Sequence, residues 1–176
     1  MRAGALFLLF GLFFDVQGES VNKLIDALNT NETIWLYKQS YRDNPEAPNR
    51  TCVRWHLKSI TTSLYTFDND YKDHKGYHTD YNTNGTLFGK TNSDEMNVTY
   101  IREGHRSTNV IYKLNMWDPN EECFVLTVSN ANSGKTKCEL HVWQRKLKAS
   151  RPSCDSAYNG MCKEQGPQVF SEHECM

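Results

Sequence analysis

The sequence predicts an all-β fold: an eight-stranded antiparallel up-and-down barrel, with a short helix before it and a disulfide-stapled C-terminal segment after it. Three observations predict it. Apolar side chains recur with a period of two over most of the stretch from Thr33 to Trp143. Short β-branched and aromatic runs, about eight of them, alternate at even spacing with turn-forming residues. The aromatic residues, 12% of the chain, fall mostly on those runs rather than on helical ones. A barrel that closes on itself exposes no sheet edge, which favours it over the alternative, a two-sheet sandwich. Eight strands leave an interior just wide enough for one small ligand.

Met1 and Arg2 make a short basic start, Ala3 to Phe14 is almost wholly apolar, and Val16, Gln17 and Gly18 stand where a signal peptidase cuts. Residues 1–18 are therefore expected to be a secretory signal and residues 19–176 a single domain. The apolar run is too short to span a bilayer and Asp15 follows it; no later stretch is apolar enough to cross.

Ser20 to Leu28 places Val21, Leu24, Ile25 and Leu28 at helical spacing, one short amphipathic helix. The period then changes to two. Thr33 to Tyr41 is a strand that ends in the Pro-containing loop from Asp43 to Asn49. Thr51 to Ile60 is the next, with Val53, Trp55 and Leu57 on one face and Cys52, Arg54, His56 and Lys58 on the other. Thr61 to Phe67 follows, closed by the polar triplet Asp68, Asn69 and Asp70. Gly76 to Tyr81, Glu95 to Glu103 and Thr108 to Asn115 read as strands, and the pair Asn84 and Gly85 as a turn. A hairpin over Glu122 to Trp143 completes the set. Its second arm puts Cys138, Leu140 and Val142 on one face and Glu139, His141 and Trp143 on the other, so the second face is neither plain surface nor plain core.

All six cysteines, Cys52, Cys123, Cys138, Cys154, Cys162 and Cys175, lie after the signal. An even set in an exported chain favours disulfides, and the residues alone leave every pairing open. Four sequons, at Asn31, Asn49, Asn84 and Asn97, agree with export and mark those side chains as outward-facing. If Asn97 faces out, its neighbours Met96 and Val98 face in, and Tyr100 with them.

The charge balance, 20 basic against 21 acidic residues, argues against a nucleic-acid or membrane-surface role. Nucleophile-elbow, zinc-protease, phosphate-loop and dinucleotide-binding motifs are absent. A Cys–His nucleophile conflicts with cysteines that pair in an oxidising compartment. The pair His74 and His78 has ligand spacing only on a helix, and Gly76 between them favours a strand or turn; no metal or cofactor is expected. The acidic group Asp68, Asp70 and Asp73 reads as a solvated turn. The chain is thus expected to bind rather than to catalyse. Trp35, Tyr37, Trp55, Met96, Val98, Tyr100, Glu139, His141 and Trp143 are the expected cavity wall. A carboxylate among aromatics needs a cation or a raised pKa, and an amine ligand would supply the cation.

The N-terminal helix, then Ile34–Trp35–Leu36–Tyr37, Thr51–Cys52–Val53 with its alternating strand, the run Cys123 to Val128, Glu139–Leu140 after a gap, and late Cys154 and Cys175 together resemble the tick salivary lipocalins of the histamine-binding protein family. The likeness covers nearly all of the chain after the signal and is similar, within the family, to the group around japanin. The resemblance implies a lipocalin barrel, secretion into the feeding site, and capture of a small ligand that modulates host immune or inflammatory responses. It implies the pairs Cys52–Cys175 and Cys123–Cys154, which leave Cys138 to Cys162. It implies carboxylates inside the barrel of amine binders: Glu139 matches one such position, whereas the acid before Val110 stands here as Asn109. On this footing the expected ligand is largely apolar with a polar end, such as a sterol or a fatty-acid-like molecule, met by Glu139 or His141. The alternatives are a biogenic amine such as histamine or serotonin, and a host immune-cell surface protein or complement engaged by outer loops, Asp43 to Asn49 or Met116 to Glu121.

Overall fold

A computed structural model describes residues 20–42, 50–90, 93–101, 107–129, 136–162 and 166–176. The element order is helix α1 (Ser20–Leu28), strands β1 (Ile34–Gln39), β2 (Thr51–Ile60), β3 (Leu64–Asp73), β4 (Gly76–Lys90), β5 (Ser93–Tyr100), β6 (Thr108–Asp118), β7 (Cys123–Ser129) and β8 (Lys137–Trp143), a 3-10 turn at Gln144–Lys146, and helices α2 (Pro152–Met161) and α3 (Glu172–Cys175). The eight strands pair in sequence order, all antiparallel, and β8 closes on β1. The predicted signal, the loop from Asp43 to Asn49 and the sequon at Asn49 lie outside the described residues. Among the described residues no helix is long and apolar enough to cross a membrane.

Two faces of one sheet carry two cores. Inside the barrel pack Ile34, Trp55, Tyr65, Phe67, Leu87, Met96, Val98, Tyr112, Phe124 and Leu126, all buried, with α1 supplying Leu24, Ala27 and Leu28. The spacing of those helical residues puts them on one face, and that face caps the end of the barrel where β1 begins. Trp143 locks the cap, donating from Nε1 to the Ala27 carbonyl at 3.1 Å. Outside the barrel, β1, β7 and β8 turn Trp35, Val125, Leu140 and Val142 toward α2 and the C-terminal tail. Three disulfides fix that layer: Cys52–Cys175, Cys123–Cys154 and Cys138–Cys162. The C-terminal third is therefore not a loose tail but a helix and a strap tied to three strands.

The strap also completes the wall. β1 and β2 pair over only Ile34↔Trp55 and Trp35↔Arg54, and both strands are irregular beyond that point. Val169 from the strap fills the gap: it is 1% exposed among Leu36, Val53 and Tyr71, and its carbonyl accepts from the Cys52 N–H at 2.7 Å.

Two sequence expectations of local structure give way to long-range pairing. Asn84–Gly85 is not a turn but the middle of β4, paired with Thr99 and Val98 of β5. A Cβ at Gly85 would lie 2.7 Å from the Met96 sulfur, so a larger residue there requires the Met96 side chain to move. Likewise Asp68, Asn69 and Asp70 do not end β3, which runs on to Asp73 paired with β4. Their polar groups are used within the sheet. Asp70 takes Arg54 at 3.0 Å, His56 at 3.1 Å and the Thr79 hydroxyl at 2.7 Å, while Asp68 takes Lys58 at 2.9 Å. Of the acidic group expected to form a solvated turn, Asp68 and Asp70 thus belong to the sheet, while Asp73 does sit at the β3–β4 turn and accepts from the Lys75 N–H at 2.7 Å.

Candidate binding site in the barrel

Alternation along β8 carries Glu139, His141 and Trp143 inward, because Cys138, Leu140 and Val142 on the other parity are drawn to the outer core and its disulfide. Glu139 is 3% and His141 1% exposed. One Glu139 oxygen accepts from the Tyr41 hydroxyl, and the other lies 2.8 Å from His141 Nε2. The imidazole is held between two rings: Trp55 on one side, centroids 4.5 Å apart, and Phe124 on the other at 5.0 Å and nearly parallel. His141 Nδ1 is buried with no hydrogen-bond partner.

From Trp55 the arrangement continues across the barrel. Its ring touches Phe67 at 5.1 Å and meets Tyr112 edge-on at 5.8 Å; Tyr65 and Phe67 stack at 4.6 Å. Trp55 Nε1 donates to Asn69 Oδ1 at 3.1 Å, and Asn69 Nδ2 donates to Asp80 at 3.0 Å. Tyr112 and Tyr100 share a hydrogen bond at 3.0 Å between their hydroxyls. Burial first, then the negative charge of Glu139, pushes the Tyr112 phenol well up, so it stays a neutral donor. Burial does the same to Tyr65, whose hydroxyl is unpartnered. The middle of the cylinder is thus occupied by the chain's own rings, where the sequence suggested a hollow.

Those rings form a floor. Glu139, Tyr41, Tyr100 and Tyr112 belong to the strand ends remote from α1, since Tyr100 closes β5, Tyr112 pairs with Val128 near the end of β7, and Glu139 pairs with Gln39 at the end of β1. They form a largely buried polar cluster beyond the ring floor, at the barrel end opposite α1. Lys137, two residues before Glu139 at the start of β8, lies over the Tyr41 ring at 5.1 Å. The cluster offers an anionic oxygen pair, phenolic hydroxyls and aromatic faces, the donor and acceptor set that holds a compact ligand with a cationic or hydrogen-bonding head.

Of the residues expected to line the cavity, Trp55, Met96, Val98, Tyr100, Glu139 and His141 face the interior, and Trp143 sits at the α1 end. Trp35 and Tyr37 do not. They lie on the outer face under the strap, both against Phe170, with Trp35 Nε1 bonded to Gln144. The reason is parity: Ile34 and Leu36 take the inner positions of β1, leaving their neighbours to the outer core. The sequence reading also missed Asp80 and Asn69, a further buried carboxylate and its partner on the inner wall. For Asn69 the only signal was a polar residue at inward parity on a strand, masked by the turn-like composition around it. Asn109 is exposed on the outer face, bonded by Thr99, while its neighbour Val110 packs inward. Its missing charge therefore does not bear on the interior. His78 is occupied by Asp73 at 2.9 Å.

The model for the tick histamine binding protein family matches residues 15–176. No curated protein sequence matches the chain. Among solved structures it is similar to japanin from Rhipicephalus appendiculatus bound to cholesterol, with 16% identity over 84% of this chain and 97% of that one and a TM-score of 0.56. It is similar also to lobster apocrustacyanin A1, with 12% identity over 84% of this chain and 80% of that one and a TM-score of 0.50. Identities this low speak for the fold alone, and the fold is the same closed barrel. With the family model spanning almost the whole chain, this protein belongs to the tick histamine-binding protein family and is a lipocalin.

Proposed function

We propose that the protein is a secreted, non-enzymatic binding protein that captures a small host mediator in the mouth half of its barrel and so modulates the host's inflammatory or immune response during tick feeding. The ligand favoured by the geometry is a compact biogenic amine of the histamine or serotonin type. One observation carries this reading: a buried carboxylate, Glu139, held among Tyr41, His141 and the Trp55 and Phe124 rings. Such a wall rewards a cation with an aromatic body, through charge and through the ring faces. Asp80 adds a further buried acid, linked through Asn69 to Trp55.

The largely apolar ligand expected from the sequence stays as the second reading. It is supported by the aromatic floor, which could move aside for a sterol-like body, and by the likeness to a lipocalin solved with cholesterol. Calorimetry with histamine and serotonin, alongside native mass spectrometry of the purified protein, separates the two. The amine reading expects saturable amine binding that Glu139→Gln weakens about a hundredfold or more, the ~3 kcal/mol of a broken buried charge pair. A co-purifying apolar molecule with no amine heat would decide for the second reading.

A further inference from the structure

Outside the barrel, between the turn after the 3-10 segment and the C-terminal strap, lies a groove of about 490 Å³, within the ordinary size range of small-molecule sites. Tyr37, Leu147, Phe170 and Met176 give it apolar walls, and Lys148 and Glu172 face each other in it as an ion pair. Directly behind the Tyr37 and Leu147 walls sits Arg151. It is 7% exposed; its guanidinium lies 3.9 Å from the Tyr37 ring centroid and donates to the Leu147 carbonyl at 3.2 Å and the Ala149 carbonyl at 3.3 Å. Nε has no partner, and no carboxylate pairs with this cation among the described residues. Holding a guanidinium so far from water is costly, and an anion brought to the adjoining groove relieves that cost.

We propose that this groove is a second ligand site, separate from the barrel, for an amphipathic carboxylate: a molecule with an apolar chain and an acid head. The chain lies on Leu147, Phe170 and Met176. The acid takes Lys148 from Glu172 and gains from the Arg151 charge behind the wall. Opposite signs follow at the two exposed partners. Removing the Glu172 charge frees Lys148 and strengthens binding, whereas removing Lys148 weakens it.

The test is calorimetry on the full disulfide-bonded protein with sodium decanoate, and with decan-1-ol as the uncharged control. Expected are saturable decanoate binding, decanol at least tenfold weaker, a severalfold gain in Glu172→Gln, and a severalfold loss in Lys148→Ala. Arg151→Met should lose about tenfold or more; should that variant not fold, the two surface variants decide alone. Glu139→Gln should leave decanoate unchanged, which keeps this result distinguishable from anything in the barrel. The proposal is overturned if decanoate does not bind, if decanol binds equally, if both surface variants match the parent, or if decanoate affinity follows Glu139.

Discussion

Removing the Cys52–Cys175 bond, by replacing both cysteines with alanine, tests whether the strap is part of the barrel wall. The bond links residues 123 apart. On the loop-entropy relation, a cross-link of that span raises the free energy of the unfolded chain by about 5 kcal/mol, whereas the Cys138–Cys162 bond, spanning 24 residues, gives about 3.5 kcal/mol. Stability of single domains is about 5–15 kcal/mol, so the first loss consumes a third or more of it. The native side adds to the loss. Val169 seals the unpaired stretch between β1 and β2, and freeing α3 lets that seal lift. Urea unfolding at pH 7, followed by tryptophan fluorescence, reads the midpoint and the slope. Expected is a larger midpoint drop for the Cys52/Cys175 variant than for the Cys138/Cys162 variant, with new protease sensitivity in residues 166–171. A loss under about 1 kcal/mol at unchanged slope, with the strap still protected, would refute the idea that the bond holds the wall shut.

Trp55→Ala and Trp35→Ala each remove a buried indole and should each cost about 3–5 kcal/mol. Only Trp55→Ala should abolish ligand binding in the barrel, measured by calorimetry in conditions where both fold; a ligand that follows Trp35 and ignores Trp55 contradicts the face assignment. At Asp70 burial pushes the carboxyl up, but the Thr79 hydroxyl and the Arg54 guanidinium outweigh it and hold the pKa below the usual carboxylate range. A depressed folded pKa contributes stability above the unfolded value, near 4, and loses it as pH falls through the folded one. Urea midpoints from pH 7 to pH 3 should therefore fall less steeply in Asp70→Asn than in the parent, and parallel curves would remove Asp70 from the acid response. Asn31 and Asn84 are exposed, so in protein secreted from insect cells each Asn→Gln change should lower the intact mass by one glycan; an unchanged mass shows that sequon empty.

The cylinder itself was legible because its cause is local. The runs at Thr51 to Ile60 and Ser93 to Tyr100 show their inward side in their own alternation. Inward parity on β8 was legible for a related reason: Cys138, Leu140 and Val142 leave Glu139 and His141 no other side. β1 carries no such contrast. Ile34, Trp35, Leu36 and Tyr37 are apolar on both faces, since the inner core wants one pair and the strap wants the other. Nothing within the strand says which is which, and the answer lies in Phe170, more than a hundred residues away.

The same distance effect hid Asn69, which bonds the buried Asp80, and it bears on how the interior is held. Asp-Asn-Asp has the composition of a turn, yet pairing with β4 keeps β3 straight and sends Asn69 into the barrel to meet Trp55 and Asp80. Trp55 is thereby held from two sides: its nitrogen by Asn69 and its face by His141, itself tied to Glu139. A floor fixed by hydrogen bonds at its rim resists rearrangement more than one held by packing alone, because moving the indole would leave the Asn69 oxygen buried and unpaired. Rigidity of that kind suits a small head group seated above the rings and penalises a long apolar body that must push them apart. An Asn69→Leu variant separates these effects: with the rim bond gone, affinity for a sterol should rise while affinity for an amine at Glu139 changes little. The reverse result would show the floor to be no barrier and Asn69 itself to be part of the amine site.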